Sequence, residues 1–340
     1  MMKIAFYDAK PYDKEFFAIE AEKRDINIQY FPFRLDHHSA KTATDFDAVC
    51  AFVNDKLDRK CLDKLSEHAP GMIAMRCAGY NNIDVSAATE LGFRLSRVPA
   101  YSPHSVAEHA VALIQTLNRR IHQAYNRVRE LNFSLNGLVG RDLYGKKAAV
   151  LGTGKIGRIT AGILRGFGME VFAYDAYPDE EWARSHDVKY TSLEEILPLA
   201  DLISLHLPLT AETHHIISEE ALGKMKPGVL LVNTSRGKLI KTRALIQALK
   251  DRRVGGVALD VYEEEEGVFF EDLSYEVLQD DQLARLLTFP NVIVTSHQAF
   301  LTREALSEIA RVTCENLKLF QRGDSFLTGT AIVPENEQAG

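Results

Sequence analysis

One stretch, residues 147–175 (KAAVLGTGKIGRITAGILRGFGMEVFAYD), restricts the folds open to this 340-residue chain more than any other. It opens on a short apolar run, 148–151, with the length and composition of a buried parallel strand. Three glycines follow, Gly152, Gly154 and Gly157, and then Ile156, Ile159, Ile163, Leu164 and Phe167 recur at helical spacing. Gly168 stops that helix, and 170–174 reads as a second strand ending in Asp175. Such a strand–turn–helix–strand unit belongs to a doubly wound α/β sheet.

The residues of the turn each have a physical task. Gly152 permits the tight passage from strand to helix, Gly154 leaves no Cβ in the way of a pyrophosphate, and Gly157 lets helix and strand pack closely. The free N–H groups and positive end of the helix face the phosphates. Asp175, roughly 20 residues beyond the glycines, stands where a carboxylate accepts hydrogen bonds from the adenosine ribose and repels a 2′-phosphate. A glycine turn alone is weak evidence, but here strand, glycines, helix, second strand and acid arrive in order. The stretch is therefore a nicotinamide-dinucleotide site, with NAD expected rather than NADP.

Length and composition bound the rest. A chain of 340 residues exceeds one compact core and implies two domains. A net charge of −7 argues against nucleic acid as a partner, since such proteins usually present a basic face. No apolar run approaches the ~20 residues of a membrane span, so no membrane partner is expected. The N-terminal MMKIAFYDAKPYDKEFF lacks a long apolar segment and reads directly into a strand, unlike a signal peptide. Cys50, Cys61, Cys77 and Cys314 are scattered, with no CxxC pair for a metal, and suit a reduced, cytoplasmic protein.

Residues 3–98 read as an alternating series of their own: strands over 3–8, 28–33, 47–52, 72–77 and 93–98, and helices over 13–24, 59–68 and 85–91. This series has no GxGxxG and is expected to be the substrate half. Its loop RCAGYNNID, 76–84, follows a strand, where open α/β sheets bind ligands, although the residues suit a plain turn equally well. One long helix is expected over 103–133, its apolar face serving either core packing or a dimer contact. Further strands are expected over 201–205, 228–232, 254–259 and 292–295, a helix over 242–250 and a final helix over 303–322.

Three strand ends of the dinucleotide domain each offer one reactive side chain. Arg236 follows VLLVNTS, Glu265 follows VALDVYEE, and His297 follows VIVTS. The carboxyl ends of such strands line the ligand crevice. An arginine holds a carboxylate bidentately, and a histidine exchanges a proton with a carbonyl or hydroxyl oxygen near neutral pH. A carboxylate beside that histidine orients it and favours its charged form. Each has a bland reading: Arg236 a surface residue, Glu265 one of four glutamates in a solvated loop, His297 one of 11 histidines. Their shared placement beside a NAD fingerprint favours the functional one.

GTGKIG, HLPLT, NTSRG, LDVYEEEEG and SHQAF, in this order and spacing, resemble the D-isomer-specific 2-hydroxyacid dehydrogenase family. RCAGYNNID, RVPAYSPHSVAEHA and FFEDLSYEVLQDD resemble its branch of fermentative bacterial D-lactate dehydrogenases, and the likeness spans essentially the whole chain. The resemblance implies two doubly wound parallel-sheet domains: a Rossmann NAD-binding domain over 101–299, and a smaller flavodoxin-like substrate domain over 1–100 plus 300–340. It implies hinges near Ala100 and Ala299, and a homodimer or homotetramer with the helix from Pro103 in the interface.

The resemblance also implies roles. Arg236 binds the substrate carboxylate and polarises the carbonyl, His297 is the general acid/base, and Glu265, rather than Glu263, Glu264 or Glu266, partners it. Tyr101 and the backbone of Ala78 and Gly79 touch the substrate, and Phe300 and Tyr12 line its pocket. Lys155, Ile156, Asp175, Leu207, Pro208, Thr213, Thr234, Ser235 and Asp260 join the glycines as cofactor contacts. Lys241 departs from the family, which often has Asp there, and Thr242 is the expected replacement cap of the following helix. The implied reaction is NADH-dependent reduction of pyruvate to D-lactate. Rivals are enzymes of 2-hydroxyisocaproate or phenyllactate type, and the dinucleotide-sensing corepressors that share this fold.

Overall fold

The computed structural model describes residues 1–68 and 70–334 and divides into two compact units, Met1–Ser102 with Leu301–Gly340, and Pro103–Phe300. Residues 335–340, which close the expected domain segment 300–340, lie outside the described residues.

The first unit is built on five parallel strands, β1 (Met2–Phe6), β2 (Ile26–Tyr30), β3 (Ala48–Ala51), β4 (Met72–Met75) and β5 (Arg94–Ser96), in the order β2-β1-β3-β4-β5. Helices α1 (Pro11–Arg24), α2 (Arg59–Ser66) and α3 (Val85–Glu90) make three of the four crossovers, and the β2–β3 connection carries only a short 3-10 turn, Ala40–Ala43. β3 (AVCA) and β4 (MIAM) are buried at every position, as strands covered on both faces must be. The chain leaves β1 toward β2 and returns on its other side at β3, so the switch point lies between β1 and β3.

The last helix of the chain, Arg303–Arg322, completes this unit. Thr302 caps its start by accepting the Ala305 N–H, and Gly323, at φ 77, ends it in the left-handed region. Ala305, Leu306, Ile309, Ala310, Cys314 and Leu317 form its buried stripe. It lies on α1, where the Arg24 Nε donates to Glu315 Oε2 at 2.9 Å. At Gly71 an added Cβ would stand 2.7 Å from the tip of the Phe320 ring, which would have to shift to admit it.

The second unit begins with α4 (Pro103–Arg119) and α5 (Ile121–Arg129). These replace the single helix expected over 103–133. The break falls at Arg120, in the left-handed region at φ 52. No helix breaker marks it in the sequence; a tertiary tie imposes it. The Asn118 amide donates to Arg141 O at 2.7 Å and accepts the Arg141 N–H at 3.2 Å. Gly140 lies so close that a Cβ would sit 2.7 Å from the Asn118 carbonyl oxygen. α4 buries Ala110, Leu113, Ile114 and Leu117 in the core, whereas Ile121, Tyr125 and Val128 of α5 are exposed.

The rest of the unit is β6 (Lys147–Leu151), α6 (Lys155–Gly166), β7 (Glu170–Tyr174), α7 (Glu180–Ser185), β8 (Val188–Tyr190), α8 (Leu193–Ile196), β9 (Leu202–Leu205), α9 (Glu219–Lys224), β10 (Val229–Asn233), α10 (Thr242–Lys250), β11 (Val254–Leu259), α11 (Asp281–Leu287) and β12 (Val292–Val294). All seven strands are parallel, in the order β12-β11-β10-β9-β6-β7-β8. Residues alternate across the pleat: Ala149, Leu151, Ile203, Leu205, Leu231 and Val257 enter one core, and Ala148, Val150, Leu202, Val232 and Ala258 the other. The short α7, α8, α9 and α11 are too brief for periodicity to announce. Each is started by a side-chain cap, from Asp179, Ser192, Ser218 and Asp280 respectively.

α10 corrects one expectation. Thr242 does not cap it; Lys241 holds the N-cap position without a side-chain bond, and Thr242 is the first helical residue. The Thr242 N–H instead donates to Glu263 Oε2 at 2.8 Å, so a carboxylate from a neighbouring loop does the work of the cap.

Candidate active site

The glycine turn leaves β6 at the switch point between β6 and β9, where ligands bind in open α/β sheets. Gly152 takes φ 97, and a Cβ on it would lie 2.6 Å from the His206 carbonyl. A Cβ on Gly157 would lie 1.9 Å from the Gly152 oxygen, so this glycine is what seats α6 on the turn. Gly154 faces open space. It is the N-cap of α6 and offers no side-chain bond, so the first N–H groups of the helix are left for a ligand. Exposed Lys155 and half-buried Ile156 follow it.

Asp175 stands at the end of β7. Its Oδ2 accepts the Thr153 N–H at 2.6 Å and the Thr153 hydroxyl at 2.9 Å, and its Oδ1 accepts the Tyr177 N–H at 2.9 Å. Burial pushes this carboxyl up, but the three donors outweigh burial and hold it below the usual carboxylate range. A carboxylate offers about four acceptor positions, so capacity for a ribose hydroxyl remains.

The loops after β9 and β10 meet at the same end of the sheet. The Ser235 hydroxyl donates to Leu207 O, and the Thr213 hydroxyl donates to Pro208 O at 2.7 Å, closing the turn that holds Pro208 at the surface. Thr234 is buried, and its hydroxyl has no hydrogen-bond partner. An open helix start, a turn with no Cβ at Gly152 and Gly154, and an orphaned hydroxyl fit a bound dinucleotide. Among the described residues no group of three or more His, Cys, Asp or Glu could hold a metal ion, and no helix is long and apolar enough to cross a membrane.

Arg236, Glu265 and His297 follow three adjacent strands, β10, β11 and β12, whose ends are in register, Asn233 beside Leu259 and Leu259 beside Val294. Gly237 packs so tightly on the Tyr262 carbonyl, 1.9 Å from a virtual Cβ, that the arginine loop and the glutamate loop touch. Arg236 is half-buried, with Nη1 donating to Ser235 O at 2.8 Å. Glu265 Oε1 lies 3.1 Å from His297 Nδ1, and its Oε2 accepts the Tyr262 N–H at 3.2 Å. A carboxylate can only accept, so Nδ1 carries the proton of that bond and Nε2 is turned to other work.

The backbone of His297 is in the left-handed region, φ 49, and Asp260 holds it there. The His297 N–H donates to Asp260 O at 2.7 Å. The Asp260 carboxylate accepts the Thr295 hydroxyl and the N–H groups of Gln298 and Ala299, at 2.5, 2.9 and 2.9 Å. His109 Nε2 of α4 stands 3.3 Å from the same carboxylate. Asp260 is fully buried; desolvation pushes its carboxyl up, but His109, Thr295 and Ala299 more than offset this and hold it low. Both its oxygens are thus engaged by protein donors. The part played by His109 was not legible, because nothing in its own helix ties it to the distant LDVYE segment.

In the first unit, Ala78 and Gly79 follow β4, the Ala78 carbonyl accepting from Arg97 Nη1 at 3.0 Å and that of Gly79 from Cys77 Sγ at 3.1 Å. Tyr12 lies in the first turn of α1, where burial pushes its hydroxyl up to about 12, and Tyr101, half-buried, is next to last in the unit's first segment. Phe300 ends the second unit, buried.

Comparison with known proteins agrees with this architecture. Residues 111–299 match the model of the D-isomer specific 2-hydroxyacid dehydrogenase NAD-binding domain. The chain is 52% identical to 2-hydroxyacid dehydrogenase A of Aspergillus oryzae, over 94% of this chain and 92% of that protein. It is 49% identical to the D-lactate dehydrogenase of Escherichia coli, over 95% and 98% of the two chains. The apo structure of that enzyme superposes with a TM-score of 0.90, covering 98% of this chain and all of the other. The chain therefore belongs to the D-isomer-specific 2-hydroxyacid dehydrogenases, with an NAD-binding domain.

Proposed function

We propose that this protein catalyses the reversible NADH-dependent reduction of pyruvate to D-lactate. The observation that carries the reading is the His297–Glu265 pair, 3.1 Å apart, on strand ends next to the one that bears Arg236. When bound, the reduced dinucleotide supplies the hydride. Gly152, Gly154, Gly157, Lys155, Ile156, Asp175, Leu207, Pro208, Thr213, Thr234 and Ser235 hold it, and Asp260 braces the loop beside it. Arg236 takes the substrate carboxylate in a bidentate grip and polarises the neighbouring carbonyl. His297 delivers a proton from Nε2 to the substrate oxygen and takes one back in the reverse reaction. Glu265 keeps Nδ1 protonated and the ring aimed.

With its carboxylate fixed, the substrate presents one face of C2, which gives the D-isomer. By the family resemblance, Tyr12, Tyr101, Phe300 and the backbone of Ala78 and Gly79 are assigned to the substrate, and a small 2-keto acid is the proposed one. The first unit serves the substrate and the second the cofactor. The segment from α5 onward exposes Ile121, Tyr125, Val128, Leu131, Phe133, Leu135, Val139 and Tyr144, which supports a homodimer or homotetramer; the fermentative, cytoplasmic setting is proposed from the family resemblance alone. Light scattering reads the oligomer directly. The test of the activity is NADH oxidation with pyruvate, 2-ketoisocaproate and phenylpyruvate. Pyruvate should give the highest kcat/KM; a preference for either larger acid would reassign the substrate within the family.

A further inference from the structure

We propose that Phe270 is a positioning residue for His297, a second grip on the imidazole beside that of Glu265; this rests on the function proposed above. The acidic run after β11 continues into Phe269 and Phe270, and the reaction as described uses neither. Phe270 sits at φ 68, in the left-handed region that bulky side chains rarely adopt. Such a conformation persists only where the surroundings over-determine it, and here they do.

On one side, Phe269 is buried against the Tyr262 ring, centroids 6.4 Å apart, and the N–H groups of Val268 and Phe269 donate to the Glu265 carbonyl at 3.2 and 3.0 Å. On the other, the Phe270 N–H donates to Ser296 Oγ at 3.3 Å, and its ring packs on the His297 ring with centroids 5.8 Å apart and planes at 35°. The far end of the segment is fixed by the Tyr262 hydroxyl, which donates to Asp280 Oδ2 at 2.7 Å while Asp280 caps α11. The segment therefore starts on the glutamate that holds His297 and folds back onto His297 itself. The left-handed turn at Phe270 is what sends one aromatic ring into the core and the next onto the histidine.

The Glu265 bond holds the imidazole at Nδ1 alone, and a single hydrogen bond leaves the ring free to rock about it. A packed aromatic ring removes that freedom and keeps Nε2 on the substrate oxygen. Small misplacements of a catalytic group cost up to about 100-fold in rate. The expectation is thus a fall in kcat with no loss of cofactor affinity.

The test compares Phe270→Ala, Phe270→Gly and Phe270→Tyr in the whole enzyme, by NADH oxidation with pyruvate and by thermal unfolding. Phe270→Ala should lower kcat about 10- to 100-fold while KM for NADH stays within about twofold. Phe270→Tyr should restore most of kcat. Phe270→Gly relieves the backbone, so its Tm should equal or exceed that of Phe270→Ala while kcat stays as low. A Phe270→Ala kcat within about twofold of wild type, or losses that follow Tm across all three variants, would overturn the positioning role alone. A wild-type protein that oxidises no NADH with any of the three 2-keto acids would overturn the proposed function and this inference with it.

Discussion

Glu263 and Glu265 stand two positions apart in one acidic run and serve different histidines: Glu263 Oε1 meets His215 Nε2 at 2.6 Å, and Glu265 Oε1 meets His297 Nδ1 at 3.1 Å. The first pair joins the loop after β9 to the loop after β11, and the second fixes the His297 ring at Nδ1. Glu263 cannot stand in for Glu265, because its other oxygen is engaged by the Thr242 N–H.

The structural role of Glu263 has a pH signature. Burial pushes its carboxyl up, but Thr242 and His215 more than offset this and lower it below the ordinary range. A carboxyl with a lowered folded-state pKa stabilises the fold above its unfolded value, and that contribution is lost as pH falls through the folded one. Glu263→Ala should cost about 1 kcal/mol at pH 7, as loss of a cap does, and the gap to wild type should close in acid. Urea midpoints of both proteins at pH 7 and below pH 4 decide the matter; a gap that is constant with pH would show that the charge contributes nothing.

For the cofactor, Asp175→Ser should narrow the preference for NADH over NADPH in kcat/KM, by removing the charge that repels a 2′-phosphate. The same change removes the acceptor of the Thr153 and Tyr177 N–H groups, so KM for NADH should also rise. An unchanged NADH/NADPH ratio would assign the choice to another residue.

Arg236→Lys replaces a planar fork by a point charge. It should raise KM for pyruvate and lower kcat, with NADH binding little changed, in steady-state assays varying each substrate in turn. Collapse of NADH affinity with an unaltered pyruvate KM would place Arg236 on the wrong ligand.

Asp260→Asn keeps the volume but turns an amide N–H₂ toward donors that now find oxygen. Either amide orientation faces the Ala299 N–H, or the Thr295 hydroxyl and Gln298 N–H, with a donor. The loop that holds His297 should loosen, lowering kcat at least about tenfold. Wild-type kcat in this variant would mean that the His297 N–H bond to the Asp260 carbonyl suffices.

How much of this could be read from the residues follows from how local each cause is. The βαβ unit from Lys147 was legible because strand, glycines, helix and acid are consecutive, and each acts on its neighbours. The three strand-end loops were legible for the same reason. The break at Arg120 was not, since it depends on Asn118 meeting Arg141, whose approach only the folded chain creates. Nor were the brace of His109 on Asp260 and the cap of α10 by Glu263, both pairings between separate segments. The short capped helices escaped because four to seven residues are too few to show a period.

The most direct test of the central claim combines turnover with stereochemistry. Wild-type protein and His297→Ala are incubated with pyruvate and NADH, and the lactate formed is resolved by chiral chromatography. Wild type should yield the D-isomer alone, one per NADH consumed, and His297→Ala should lose on the order of 10² to 10⁴ in rate while still binding NADH. Formation of L-lactate or a racemate, or a His297→Ala variant as fast as wild type, would contradict the account.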